Sequence, residues 1–177
     1  MPNLLKLIWG GMPLQVIKDG QVLEDNWQRL DVEPGQDIPE TGDIIVSLPL
    51  WKECRNALRN RTGKVGVCLL GEEDPAELQD DLNDLEMIAL DFPVFKDGRS
   101  YSNARLLRER YGYKGELRAL GDVLRDQIFF MHRCGIDSFQ IRVDKNIADA
   151  VSGLADFSVT YQTAADGALP VYKRRNS

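Results

Sequence analysis

From residue 43 onward the chain alternates short β-branched or apolar runs with segments whose apolar positions recur at helical spacing. That alternation predicts strand-helix-strand units around a mainly parallel sheet with helices on its faces, because parallel strands must be joined by a crossover. About five such units can be counted. DIIVSL (43–48) is the first strand, and Leu50, Cys54, Ala57 and Leu58 give the next segment a helical stripe that stops at Gly63. KVGVCLL (64–70) follows, then a helix opening at Asp74, Pro75 and Glu77, where a first-turn proline forfeits no hydrogen bond. EMIALDF (86–92) is almost wholly apolar, as a strand covered on both faces must be. GELRALG (115–121) and SFQIRV (138–143) supply two more strands, and FSVTYQ (157–162) reads as a final edge strand. Three further helices are predicted: from Ser100 or Ser102 to Gly112, from a cap at Asp122 to Gly135, and from a cap at Asn146 through Leu154.

The pattern changes before residue 43. PLQVIKDGQVLEDNW places Asp19 and Gly20 between two alternating runs, a strong hairpin signal, and DVEPGQDIPETG (31–42) reads as an acidic loop. Residues 1–42 are therefore expected to form a small β-hairpin appendage with its loop, residues 43–162 an α/β domain, and residues 163–177 a disordered tail. Two architectures suit the main domain. A flavodoxin-like open sheet is preferred for five units; the RCGIDSF transition into the last strand resembles those of β/α barrels and makes a partial barrel the alternative.

At 177 residues one domain is the expectation, with roughly 70% of the unfolded chain's surface buried on folding. The formal net charge of −6 argues against nucleic acid, since the only compact basic cluster is Lys173, Arg174 and Arg175. No apolar run approaches the roughly 18 residues a membrane helix needs, and MPNLLKLIWGG has no basic stretch before its apolar one. A cytoplasmic protein is the expectation; its oligomeric state is left open. Cys54, Cys68 and Cys134 form neither a C-x-x-C pair nor a zinc spacing, so no metal is expected and the thiols read as buried. His132 beside Cys134 would allow a nucleophilic pair, but its neighbours Ile128, Phe129, Phe130 and Met131 fit packing better.

Candidate chemistry is concentrated between Asp91 and Gln127, where two strands in succession hand over to helices. In parallel sheets the loops at the carboxyl ends of the strands gather on one rim. VFKDGRSYS (94–102) is longer than most such connections. There Asp97, Gly98, Arg99, Tyr101 and Ser102 combine a turn, a planar fork of donors and a helix start, a set that would hold a small anion. Asp91 and Asp122 at adjacent strand ends are the catalytic candidates. Beside an arginine an aspartate stays ionised, so they would serve as bases or arginine partners rather than as acids. Arg118, Arg125 and Gln127 flank the second junction as further ligand-binding candidates, and an inward, paired Arg118 is one of the open readings. Each of these residues also has a plain structural reading as a turn, a cap or an ion pair. No G-x-G-x-x-G, P-loop or cluster-binding cysteine set appears, so no cofactor is indicated by motif.

DFPVFKDGRSYSNARLLRERYGY, GELRALGDVLRDQ, RCGIDSF and DFSVTYQ, within residues 43–162, resemble a family of uncharacterised bacterial proteins labelled as probable oxidoreductases involved in sulfite reduction. The resemblance implies a role beside the assimilatory sulfite reductase in sulfur assimilation, and it brings no secured active site with it. Two expectations follow. One is an accessory that binds sulfite reductase, its electron donor or a small sulfur oxyanion; the other is an oxidoreductase that borrows a flavin or nicotinamide.

Overall fold

A computed structural model describes residues 14–31, 37–94, 96–155 and 165. Strands β1 (Gln15–Lys18) and β2 (Gln21–Glu24) are the hairpin expected from Asp19 and Gly20. Both turn residues have positive φ, 52° and 71°, as a tight two-residue connection between right-twisted strands requires. After β3 (Trp27–Arg29) come β4 (Asp43–Ser47), helix α1 (Leu48–Arg59) and β5 (Val65–Leu69). A 3-10 segment (Pro75–Asp81) leads to β6 (Met87–Phe92), and α2 (Arg99–Arg105) runs on into a π-helical turn (Leu106–Arg110) before β7 (Glu116–Gly121). Helix α3 (Arg125–Arg133), the short β8 (Ser138–Phe139) and α4 (Ile147–Ser152) follow.

The eight strands form one sheet in the order β2-β1-β8-β7-β6-β5-β4-β3. From β3 to β8 each strand lies parallel beside its predecessor, always on the same side. A flavodoxin-like sheet would reverse direction at a switch point, and this one does not, so the preferred open sheet gives way to the curled half-barrel alternative. The expected five strand-helix units are simplified as well. The crossover between β5 and β6 is a 3-10 segment, opened by the Asp74 side chain accepting from the Ala76 N–H at 2.9 Å with Pro75 in its first turn. Asp81 is buried, accepting from Trp51 Nε1 at 2.9 Å and pairing with Arg55 and Arg59 at 2.8 and 2.9 Å. The predicted strand 138–143 shortens to two residues. The predicted strand 157–162 lies outside the described residues, as does most of the expected tail.

Chain connectivity shows how far the sheet is rolled. Strands β2 and β3 stand at opposite edges, yet only Asp25 and Asn26 separate them. Three Cα–Cα steps reach at most about 11 Å, whereas eight strands laid flat would hold their edges roughly 34 Å apart. The sheet must therefore curl until the end of β2 lies beside the start of β3. Because β1 runs antiparallel to both β2 and β8, β2 and β3 share one direction, and residues 21–29 pair first with β1 and then with β4. The hairpin is thus hydrogen-bonded into the main sheet.

Alternation sorts the side chains onto two faces. Ile44, Val46, Val67, Leu69, Ile88, Leu90, Leu117 and Phe139 face outward and pack with Trp51 of α1, Leu107 of the π turn and Ile128 and Met131 of α3. A smaller cluster of Ile45, Cys68, Met87, Ala89 and Leu120, with Trp27 against it, fills the concave face. Register places Cys68, Ala89, Arg118, Ser138 and Lys18 in one row across that face. Arg118 is therefore the inward, paired arginine left open by the sequence. Its Nη1 donates to Asp25 at 2.8 Å, its Nη2 lies 2.7 Å from Glu116, and Lys18 Nζ reaches Glu116 at 2.6 Å. The Arg118 and Asp25 side chains are only 3% and 4% exposed.

This network sets a sign for acid stability. Burial pushes the Glu116 carboxyl up, but Arg118 and Lys18 outweigh it and hold the group below its ordinary value of 4.5. A carboxylate depressed in the folded state stabilises the fold above that ordinary value, and the contribution drains away as pH falls through the folded one. In denaturant titrations at pH 7, 5, 4 and 3, Glu116→Gln is expected to be destabilised at neutral pH and to converge on the parent below about pH 4.5. A constant difference at every pH would contradict this.

Candidate functional site

The carboxyl ends of β6 and β7 are drawn together by the backbone. Gly121 ends β7 with φ 98°, and a Cβ there would stand 2.5 Å from the carbonyl oxygen of Phe92, so glycine permits both the conformation and the approach. The next amide, of Asp122, donates to that same Phe92 oxygen at 2.7 Å. Ser100 Oγ donates to the Asp91 carbonyl at 2.6 Å, anchoring the start of α2 to the end of β6. The main chain at Asp91, Ser100 and Asp122 is thus gathered at one part of the rim.

The charged side chains then separate into three groups. Asp91 meets Arg29 of β3 at 3.4 Å, a contact that bridges two intervening strands and is possible because the sheet is curled. Asp122 accepts from Arg142 Nη1 at 2.8 Å, while the rest of that guanidinium grips Asp144 at 2.6 and 2.9 Å. Arg99 forks onto Asp97 at 3.0 and 2.6 Å, with Glu72 at 3.5 Å. Hydrogen bonds from Arg99 hold the Asp97 carboxyl down at about 2, and Arg142 does the same for Asp144. Both are fixed counter-ions. Arg99, expected to stand between Asp91 and Asp122, is instead occupied by its own loop.

The other predicted residues serve several local purposes. Gly98 is the N-terminal cap of α2 at φ −95°, so it supplies no left-handed turn. Tyr101 packs edge-on against Phe92, with ring centroids 5.1 Å apart, and against Phe130 at 5.2 Å. Burial raises its hydroxyl's pKa, against a hydrogen bond from Gln127. Ser102 is exposed on α2. Arg118 belongs to the concave interior, and Arg125 reaches Ser152 Oγ at 3.2 Å on α4. Asp122 does not cap α3: the tight turn in which Val123 N–H donates to the Gly121 oxygen at 2.9 Å delays the helix, and Leu124 is its cap. Gln127 Oε1 accepts from the Leu124 N–H at 3.0 Å, the half of a capping box that a leucine cap permits.

Sequence reasoning missed Arg29 and Arg142, the two arginines that hold the candidate carboxylates. The signal for Arg29 was the alternation in Trp-Gln-Arg, which puts Trp27 and Arg29 on one face; three residues were too few for a period to stand out. Among the thiols, burial pushes Cys68 up to about 12 and raises Cys134, and the His132 ring nitrogen lies 3.3 Å from the Ile136 carbonyl. Among the described residues no group of three or more His, Cys, Asp or Glu side chains could hold a metal ion, and no helix is long and apolar enough to cross a membrane. Large apolar side chains are also exposed. Val94 and Val143, just beyond β6 and β8, and Phe130 on α3 each expose more than half their surface, 56%, 68% and 58%.

Gly121→Ala tests the gathering of the rim. It is expected to destabilise the fold by more than about 1 kcal/mol, the consequence of a Cβ at positive φ against backbone. The amide signals of residues 92, 100 and 122 should shift together. Unchanged stability and chemical shifts would show that the close approach of β7 to β6 is absent.

Among curated proteins, no match was found for this chain. A family model does match, over residues 66–172, from the middle of the curled sheet through α4 and beyond. The protein belongs to the family described as Bacterial protein of unknown function (DUF934).

Proposed function

We propose that this protein is a cytoplasmic accessory of assimilatory sulfite reduction that docks on sulfite reductase, or on the reductase's electron donor, through the rim at the carboxyl ends of its parallel strands. The observation that supports the docking mode is exposed apolar surface near ion pairs closed within the chain: Val94 past β6, Val143 past β8, and Phe130 on α3 against Tyr101. Apolar side chains set among charges of both signs are what a protein-binding surface presents. The link to sulfite reduction rests on the likeness of residues 43–162 to proteins so labelled. A sulfur oxyanion seated in the loop of residues 97–102 would have to displace Asp97 from Arg99, which favours a protein partner for this rim.

Native purification with a C-terminal affinity tag tests the reading. Sulfite reductase or its electron donor is expected to co-elute, and the doubly substituted Val94→Glu, Phe130→Glu protein should lose it while keeping its circular dichroism. A deletion strain should fail on sulfate and grow on sulfide or cysteine. A yellow, flavin-bearing protein that elutes without the reductase would instead favour the oxidoreductase reading, and unimpaired growth on sulfate would overturn the pathway.

A further inference from the structure

The mouth of the curled sheet holds a second constellation that the docking surface does not use. Arg29 rises from β3 one pleat beyond Trp27, and Asp91 stands opposite on β6, in register with Leu120. Beneath them lies the concave cluster of Ile45, Cys68, Met87, Ala89 and Leu120. Cys68 is close enough to both charges for each to act on its thiol. Ile45, Met87, Ala89 and Leu120 line this part of the face, with Arg118 next to Ala89 in register, and the charges that act on Cys68 are Arg29 against Asp91, Glu73 and Asp31.

Arg29 differs from its neighbours on the rim in how loosely it is engaged. Among the described residues its carboxylate contacts are to Asp31 and Asp91, both at 3.4 Å. Arg99 and Arg142 grip theirs at 2.6 to 3.0 Å. A guanidinium offers five N–H donors in a planar fork, and contacts at 3.4 Å leave most of that capacity weakly used. The Arg29 side chain is 45% exposed and Asp31, the outer partner, 77%, so water already competes for that contact. Asp91 is 15% exposed and held in place through its own carbonyl by Ser100. One donor fork and one fixed acceptor thus stand side by side at the carboxyl ends of β3 and β6.

We infer that Arg29 and Asp91 form a binding site for a small zwitterion, in which Arg29 takes an anionic head in place of Asp31 and Asp91 takes an ammonium group a few bonds away. A bare oxyanion fits less well, because the Asp91 carboxylate would repel it; a cation alone would meet Arg29. The anionic head can be a carboxylate, as in an α-amino acid, or a sulfonate, as in an aminosulfonate, since a guanidinium fork matches either. The inference stands apart from the docking surface, and neither needs the other.

The test is titration of the full chain, by calorimetry and by the NMR signal of the Arg29 Nε–H, with L-serine, L-cysteine and taurine. Sulfate, propionate and ethylamine serve as probes carrying only one of the two groups. Wild type is expected to bind at least one zwitterion about tenfold more tightly than any single-group probe, the factor for one charge-assisted hydrogen bond. Serine or cysteine binding without taurine would assign a carboxylate head, and taurine binding without them a sulfonate. Asp91→Asn should weaken the zwitterion by about tenfold and leave sulfate unchanged or tighter; Arg29→Gln should abolish both. If Arg29→Gln does not fold, the wild-type selectivity and the Nε–H shift still decide. No zwitterion binding, binding no tighter than sulfate, or binding that leaves the Arg29 signal unmoved would overturn the site.

Discussion

Asp25 and Arg118 meet at 2.8 Å inside the curled sheet, both almost wholly removed from water. Taking two charges out of water costs several kcal/mol each, and only good geometry with further partners offsets it. Glu116 and Lys18 are those partners, and the four side chains balance two charges of each sign. Asp25 belongs to the two-residue link between the sheet's edges, and Arg118 lies near the middle of the sheet. Their contact can form only when the sheet is rolled, so the pair and the curvature stand or fall together.

The curvature in turn decides what the rim can be. A switch-point sheet would open a crevice between strands whose helices lie on opposite faces. Here the strands follow one another round an arc, the helices lie outside, and the carboxyl ends surround a mouth above a concave face that holds both a small apolar cluster and Arg118. Arg29 can reach Asp91 across two strands only because the arc brings β3 and β6 toward each other. The loop of residues 97–102 and the Asp122–Arg142 pair stand around this mouth as closed charge pairs. The proposed partner would thus meet shape and apolar side chains on the rim, while among the described residues Arg29 is more loosely engaged than Arg99 and Arg142, the other arginines paired there.

Much of the fold was legible because the strands carry their burial in their composition. MIALDF and VGVCL could scarcely be anything but strands covered on both faces, and Asp19-Gly20 announced its turn. Strand order was not legible, since the same alternation serves a sheet that reverses and one that does not. What separates them is the link at Asp25 and Asn26, whose meaning appears only when β2 and β3 are seen at opposite edges. The site was half legible. Asp91 was picked out because an aspartate closes an apolar strand, and Arg118 because it interrupts one. Their partners Arg29 and Asp25 lie far away in sequence, in the part set aside as an appendage, and no local period could join them. The cap assigned to Asp122 failed for a local reason, the glycine turn that uses up the residues before the helix.

A double-mutant cycle on Asp25→Ala and Arg118→Ala, read by denaturant unfolding at neutral pH, tests the rolled sheet most directly. Each single change is expected to cost about 3 to 5 kcal/mol by stranding a buried charge. The double change should cost little more than either alone, giving a coupling of 2 kcal/mol or more, within the range found for residues in one network. Costs that add to within about 0.5 kcal/mol would mean that the two side chains do not meet, and that the edges of the sheet are not brought together as described.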